Sequence, residues 1–451
     1  MPEYHFDMRD LRFNLFDFLN AGSLTKHALY QDYDSELMGQ VLDFAHDLSA
    51  NVLAPLNEVG DIEGLKLVDG RVVMPEGWRE AYETFREGAW NGFVTPAAKG
   101  GQGFPFMMGV AVQELFIAAN LSFMFIPGLT TGALGLIAEF GTDAQRAIYL
   151  ENMLTGNWSG TMCLTESGAG TAVPDLRTSA TPIPGKEGRY KIKGTKIFIS
   201  AGDHELTENI VHMVLARVDG DSDGYRGITL FIVPKHKVDD RGKVLGRNDV
   251  KTVALEHKLG IHASPTCQLA FGDDDDCEGW LLGKQGEGLV CMFRMMNEAR
   301  IAVGIQGAAQ SGLAYQRAVR YAKERIQGSR IQDMRKKDAE RVAIIEHPDV
   351  RRNLMTMKAI SEGTRALCIY AAYCVDRHAT SEDEKEEKRW MHQLEILTPI
   401  VKAWSSDEGF RATEIGVQVY GGYGYCREYG MEQLMRDAKI ASLYEGTNGG
   451  Q

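Results

Sequence analysis

The hydrophobic pattern changes period twice, near residue 160 and near residue 288, so the chain must combine separate helical and β layers. Before the first change, apolar residues recur at three- and four-residue steps. Leu37, Val41, Leu42, Ala45, Leu48 and Val52 form one stripe, which Pro55 is expected to stop; Trp78, Tyr82 and Phe85 form another after Pro75. Residues 96–103 make a glycine-rich loop, and helical pattern then resumes through Glu139. Gly141-Thr142-Asp143 reads as a C-cap followed by the N-cap of a helix to about Leu154. From Gly160 to about Leu282 the texture is different. Short β-rich runs at 190–194, 210–216 and 228–233 are separated by Gly, Asp and Pro, which predicts a barrel or sandwich. After Gly288 the pattern is helical again. Ala302, Ile305, Ala309, Leu313 and Gln316 share a stripe of a helix over about 288–326. His347-Pro348-Asp349 opens another helix, Lys385 to Trp390 is a solvated helix start, and a further helix over about 400–420 ends at Gly421-Gly422. The prediction is an α+β multidomain protein: an N-terminal helical domain over 1–160, a middle β-domain over 161–282 and a C-terminal helical bundle over 283–451. Alternating βαβ units and a G-x-G-x-x-G are both missing, so a nucleotide cofactor here needs an architecture other than the Rossmann fold.

Composition narrows the class. In 451 residues, 44% are apolar and 25% charged, which is ordinary for a globular chain with a large core. The net charge of −13 argues against a phosphate-backbone binder, which needs a basic face. Seven cysteines, without a C-x-x-C pair, read as reduced core thiols of a cytoplasmic protein. The opening residues lack the basic and apolar regions of a signal peptide. Leu115 to Ala138 carries no charge and has the length of a membrane span. Its Asn120, Ser122 and Pro127-Gly128 predict instead two buried helix segments meeting at Ile126-Pro127-Gly128, and no membrane span.

Three segments carry chemistry. Met162 to Thr171 is a strand running into a glycine-rich turn, whose N–H groups and hydroxyls suit a heteroaromatic ring or a phosphate. Lys196 to Gly202 sets Phe198 and Ser200 two apart, on one face of a strand that could stack on and hydrogen-bond a planar ring. Near the C-terminus, Gln418 to Gly424 holds three glycines in four positions, which permit close approach of backbone. Further on, Glu445 stands in the locally uncharged Leu443-Tyr444-Glu445-Gly446-Thr447. Desolvation there would raise its pKa toward that of a general base working near neutral pH. His204 and His212 read as loop or strand-end polar groups, and Asp273 to Asp276 as a solvated loop.

Taken together, and in order, these segments resemble the acyl-CoA dehydrogenase family over about residues 35–451. Met162 to Gly170 is similar to the family's x-C-x-T-E-x-x-A-G loop, and Lys196 to Gly202 to its K-x-W-I-T/S-x-G strand. Glu298 with Arg300 to Gly304 is similar to a family helix start, Gln418 to Gly424 to Q-x-x-G-G-x-G, and Tyr444 to Thr447 to Y-E-G-T. Arg9 to Phe13, Ile199 to His204, Asn209 to His212 and Tyr444 to Gly449 resemble a long-form branch. That branch includes 3-methylmercaptopropionyl-CoA dehydrogenases and bacterial fatty acyl-CoA dehydrogenases. Its members are longer, so the chain, which stops six residues after Glu445, is expected to continue.

The resemblance implies an acyl-CoA dehydrogenase-like fold with a C-terminal four-helix bundle, and FAD as cofactor. It assigns the FAD contacts to Cys163, Leu164, Thr165, Thr171, Phe198, Ser200, Arg325, Gln418, Gly421, Gly422, Thr447 and Asn448, with Gln418, Gly421, Gly422 and Arg325 reaching the FAD of a neighbouring subunit. Asn297, Arg300, Tyr444 and Gly446 are implied at the acyl-CoA. Glu445 is implied as the base that removes the α-proton, with its own N–H polarising the thioester carbonyl, and flavin N5 as hydride acceptor. Electrons are then expected to reach an electron-transferring flavoprotein, from a homodimer or dimer of dimers in a bacterial cytoplasm. Six positions in four segments depart from the family pattern: Thr171-Ala172 for Ser-Asp, Phe198 for Trp, Gly328-Ser329 for aromatic-Gly, and Gly450 for Ile. An acyl-CoA oxidase using O2 shares the fold and is the alternative. A nucleic-acid-binding flavoprotein of the same family is disfavoured by the −13 charge and by the presence of Glu445.

Overall fold

The computed structural model describes residues 4–450, apart from the side chains of residues 294–298. Its N-terminal part contains α1 (Met8–Arg12), α2 (Ser35–Leu48), α3 (Pro55–Glu63), a hairpin of β1 (Lys66–Val68) and β2 (Arg71–Val73), α4 (Trp78–Glu87), α5 (Phe106–Ala119), α6 (Leu121–Phe140) and α7 (Asp143–Leu154). The cap expected for α7 is present: Thr142 and Gln145 satisfy each other's backbone N–H groups as a capping box.

Three local expectations change. Pro55 does not stop the helix; it occupies the first turn of α3, where its missing N–H has no helical partner to lose. The β1–β2 hairpin interrupts the helical region because Asp69 (φ 50°) and Gly70 (φ 70°) both take left-handed backbone, the geometry of a tight hairpin turn. The two apolar helices part at Asn120, not at Ile126-Pro127-Gly128. Asn120 is extended (φ −156°) and its side chain accepts from the Phe123 N–H at 3.0 Å, so it caps α6, while Pro127 is carried inside that helix. α6 is long and apolar enough to cross a membrane, yet 72% of its most apolar stretch is buried inside the protein.

The middle part holds β3 (Trp158–Cys163), β4 (Ser179–Pro182), β5 (Arg189–Ile199), β6 (Asn209–Val218), β7 (Ile228–Pro234), β8 (His236–Val238), β9 (Val244–Arg247), β10 (Val250–Leu255), β11 (Cys267–Phe271) and β12 (Glu278–Leu282). The main sheet runs β10-β11-β5-β12-β7-β6-β3. β4 pairs with both β5 and β6, which closes the ring β4-β5-β12-β7-β6 and protects their edges. His204 and His212 are buried, not at solvent-facing strand ends. Parallel pairing sets Thr161 beside His212, whose Nδ1 meets the Thr161 hydroxyl at 2.7 Å, and His204 meets the Ser159 hydroxyl at 3.0 Å. Burial pushes both imidazoles down to about 3, so they are neutral.

The C-terminal part is built from α8 (Gly288–Glu324), α9 (Pro348–Ala379), α10 (Glu384–Tyr420) and the short α11 (Met431–Ala438). The charged start at Lys385 and the stretch over 400–420 belong to one helix, α10, which carries Pro399 inside. α8 and α10 touch at Gly307 and Gly409. A Cβ at Gly307 would lie 2.0 Å from the Ser405 carbonyl oxygen, so only glycine permits this approach. Buried charge ties the parts together. Arg365 of α9 bridges Glu114 of α5 (2.6 Å) and Asp10 of α1 (2.5 Å). Asp376 of α9 accepts from the first N–H groups of α5, Phe106 at 2.7 Å and Met107 at 2.8 Å. Arg436 of α11 grips Asp61 of α3 with two bonds of 2.9 and 2.6 Å.

Candidate active site

The first two chemistry-bearing segments meet as neighbours. After β3, the chain passes β5, where the Ile197 N–H donates to the Thr165 carbonyl at 2.9 Å. Lys196 is fully buried and donates to the Leu164 carbonyl (3.0 Å) and to Glu166 (2.8 Å). Glu166 also accepts from Arg177 N–H, Thr178 N–H and the Thr178 hydroxyl. Burial alone would raise its pKa; Lys196 and these bonds outweigh that and hold it below the ordinary range. The Leu164-Thr165-Glu166 backbone is thereby fixed. Cys163 lies beneath it with its thiol pushed up by burial to about 12, so only its backbone is suited to a binding role.

Phe198 and Ser200 do not share a regular strand face. The β5–β11 register slips between Cys267↔Ile199 and Leu269↔Lys196, which leaves Ile197 and Phe198 opposite Gln268 alone: a bulge. Phe198 takes φ 58° and is 59% exposed, a large ring turned outward on strained backbone at the end of β5. Beyond Glu166, Thr171 is exposed, and a Cβ built at Gly168 or Gly170 meets nothing within 4 Å.

Glu445 stands on a second strained turn. Its φ is 53° and that of Gly446 is 90°. Tyr444 before it donates its hydroxyl to Gln306 of α8 at 2.5 Å and packs its ring 6.1 Å from that of Phe125. Both Tyr444 and Glu445 line a cavity of about 140 Å³ enclosed by α5, α6 and α8, with Met162 of β3 on its wall. Ile117, Leu121, Met124 and Val303 make it apolar; Gln113, Thr131 and Gln306 are its polar side chains. Burial raises the Glu445 carboxyl above the ordinary range, while Lys402 and Arg300 pull it partly back. Arg300, expected at the substrate, thus sits by the carboxylate, and its Nε is buried without a hydrogen-bond partner among the described residues.

The remaining expected residues fall into two places. Gln418, Gly421 and Gly422 are exposed at the end of α10, away from the cavity lining, and a Cβ at either glycine meets nothing within 4 Å. Arg325, which caps α8, holds its guanidinium 5.1 Å from the Tyr423 ring and so joins that segment. Thr447 is exposed beside Glu445, but Asn448 turns its amide inward, donating to the Ala403 carbonyl (3.2 Å) and the Ser406 hydroxyl (2.9 Å). Asn297 lies outside the described residues.

One participant escaped the sequence reading. Lys402 of α10 is fully buried and donates to the Gly446 carbonyl and to Asn448 Oδ1, each at 2.6 Å. A signal exists in the sequence: Lys402 is the lone charge among Thr398, Val401, Ser405, Ser406 and Gly409 on the buried face of α10.

Residues 66–157, 161–273 and 286–451 match the family models described as the N-terminal, middle and C-terminal domains of acyl-CoA dehydrogenase. The sequence is 42% identical to 3-methylmercaptopropionyl-CoA dehydrogenase of Ruegeria pomeroyi, over 98% of this chain and 74% of that one. It is 37% identical to a butyryl-CoA dehydrogenase of Syntrophomonas wolfei, over 99% of this chain and 74% of the relative. Among solved structures, butyryl-CoA dehydrogenase of Megasphaera elsdenii superposes with a TM-score of 0.74 at 26% identity, covering 92% of this chain and 96% of that one.

Proposed function

The chain belongs to the acyl-CoA dehydrogenase family, and from that premise we propose that it converts an acyl-CoA thioester to a trans-2-enoyl-CoA, with Glu445 as the base that takes the α-proton. The observation that carries this reading is the placement of Glu445: a carboxylate on left-handed backbone at the wall of an apolar cavity, with its pKa raised by burial. An α-proton beside a thioester is weakly acidic. A desolvated carboxylate with a raised pKa is a stronger base than one in water, and Lys402 and Arg300 beside it favour its ionised form.

The residues present fit FAD. Phe198 offers an outward ring, the backbone of 163–165 is locked from below by Lys196, and the open faces of Gly168, Gly170, Gly421 and Gly422 leave room that this chain's own packing does not use. Cys163 to Thr165, Thr171, Phe198, Ser200 and Thr447 would hold it from one chain. Gln418, Gly421, Gly422 and Arg325 would serve the FAD of a neighbouring copy. The chemistry FAD supplies when bound is acceptance of the β-hydride, two electrons in all, for onward passage to an electron-transferring flavoprotein. The cavity would supply the floor for the acyl chain, with Tyr444 on its wall beside Glu445 and Arg300 near the carboxylate.

Anaerobic addition of butyryl-CoA to the holoenzyme is expected to bleach the flavin, and Glu445→Gln, with unchanged flavin content, is expected to abolish the bleaching. Bleaching at the wild-type rate in Glu445→Gln would falsify the assignment of the base.

A further inference from the structure

We propose that Lys402 is a positioning residue for proton abstraction: it clamps the residues that follow Glu445 onto α10, and so holds the carboxylate in line with the cavity. The proposal rests on the reading of Glu445 as the base. It stands first on geometry. A left-handed, non-glycine conformation persists only where its surroundings enforce it. Here the enforcing contacts fall one and three residues after Glu445. The Lys402 ammonium donates to the Gly446 carbonyl and to Asn448 Oδ1, both at 2.6 Å. Asn448 is itself pinned, its Nδ2 donating to the Ala403 carbonyl and the Ser406 hydroxyl on the same helix. Tyr444, on the other side of Glu445, is anchored to Gln306 of α8. The base is therefore held between two tethers, one to each of the two longest helices.

The buried position of Lys402 needs explaining on its own account. A lysine almost never sits at 0% exposure unless it is paired. Burial pushes this ammonium down to about 8, with Glu445 and Asp407 raising it and Arg300 lowering it. A methionine of similar length would pack there without that cost and would remove the two bonds to Gly446 and Asn448. Lys402 from α10 and Arg300 from α8 are charged groups that face Glu445 among the described residues. Lys402 thus acts on the base twice, through the backbone it holds and through its charge, which favours the ionised carboxylate.

The test compares wild type, Lys402→Met, Lys402→Arg and Glu445→Gln as holoenzymes. Three readouts apply: kcat and KM for butyryl-CoA, the pH profile of kcat, and exchange of the acyl α-protons with solvent deuterium after the flavin has been reduced. The exchange reads proton transfer alone. Misplacing a reacting group by about 1 Å costs on the order of a hundredfold. Lys402→Met is expected to lower kcat and α-proton exchange by about 10- to 100-fold, with KM and flavin content within about twofold of wild type. Its acid limb is expected to move to higher pH, because removal of a cation disfavours the carboxylate; Lys402→Arg is expected to restore the limb. Wild-type kcat, exchange and acid limb in Lys402→Met overturn the proposal. Exchange that survives in Glu445→Gln overturns the base reading instead, so the two failures are distinguishable. If Lys402→Met does not fold, Asn448→Ala, which removes one acceptor and keeps the charge, takes its place. A kcat lowered about tenfold with an unmoved acid limb supports the clamp, and wild-type kcat overturns it.

Discussion

Gly128 offers a direct perturbation of the acyl cavity. It lies in α6 on the cavity lining, and a Cβ built on it meets no atom within 4 Å. Gly128→Leu therefore adds four carbons at the lining of a cavity of about 140 Å³ without displacing backbone. The helix itself gains, since leucine is favoured over glycine in a helix interior by up to about 1 kcal/mol. The acyl chain loses the space. Each excluded methylene forfeits about 0.8 kcal/mol of burial, so four forfeit about 3 kcal/mol, on the order of a hundredfold in kcat/KM. The loss is expected only for acyl chains long enough to reach α6; the shortest substrates should keep their kcat/KM. The assay is kcat/KM across straight-chain acyl-CoAs from propionyl to octanoyl, in wild type and Gly128→Leu, with melting temperature as the check on folding. A folded variant with an unchanged chain-length profile would refute the reasoning, because the acyl chain would then lie elsewhere.

Two further predictions concern the charges that join the domains. Asp61 is pulled below the ordinary carboxylate value of 3.8: burial opposes this, and His262 and Arg436 outweigh it. Its contribution to stability is thus fully present above that value and is lost progressively as pH falls through the lowered pKa, so Asp61→Asn should lower the melting temperature more at pH 6 than at pH 3. Parallel curves for the two proteins at every pH would contradict this. Arg365 is 3% exposed and Glu114 is fully buried, so Glu114→Leu strands a guanidinium with Asp10 alone and should cost about 3–5 kcal/mol in denaturant unfolding, whereas Glu114→Leu with Arg365→Met should recover most of it. A single-variant cost below about 1 kcal/mol would show that the pair is dispensable.

The parts of the fold that local chemistry decides were legible in the residues. The Thr142/Gln145 box marks the start of α7, and the β-rich runs at 190–194, 210–216 and 228–233 all fall in β5, β6 and β7. Where two local signals competed, the weaker-looking one prevailed. Pro127 is a stronger breaker than Asn120 in isolation. Asn120, however, can satisfy a helix N-terminus with its side chain, and burial of α6 on most of its surface compensates for the proline. The Phe198 bulge could not be read at all, because it follows from how β11 pairs with β5, seventy residues apart in sequence. Glu445 was legible because its neighbours are uncharged; the cations that face it, Arg300 and Lys402, come from other helices, and only packing reveals that they converge.

That convergence explains how an acidic chain, with net charge −13, builds a site for anionic chemistry. The cations that matter are withdrawn from the surface and aimed at turns. Lys196 and Lys402 are both fully buried, and each donates to one backbone carbonyl and one side chain of a turn, Leu164 and Glu166 in one case, Gly446 and Asn448 in the other. A buried ammonium tolerates only nearby, well-placed acceptors, so such a lysine enforces geometry more strictly than a surface pair does. One lysine fixes the strand-end backbone proposed to meet the flavin. The other fixes the turn that carries the proposed base. Met162 lies just before the first turn and lines the same cavity as Glu445, so the two held segments meet at one cavity. In the proposed reaction, proton removal and hydride removal act on adjacent carbons of one substrate, and a rigid spacing between the two turns is what that chemistry demands.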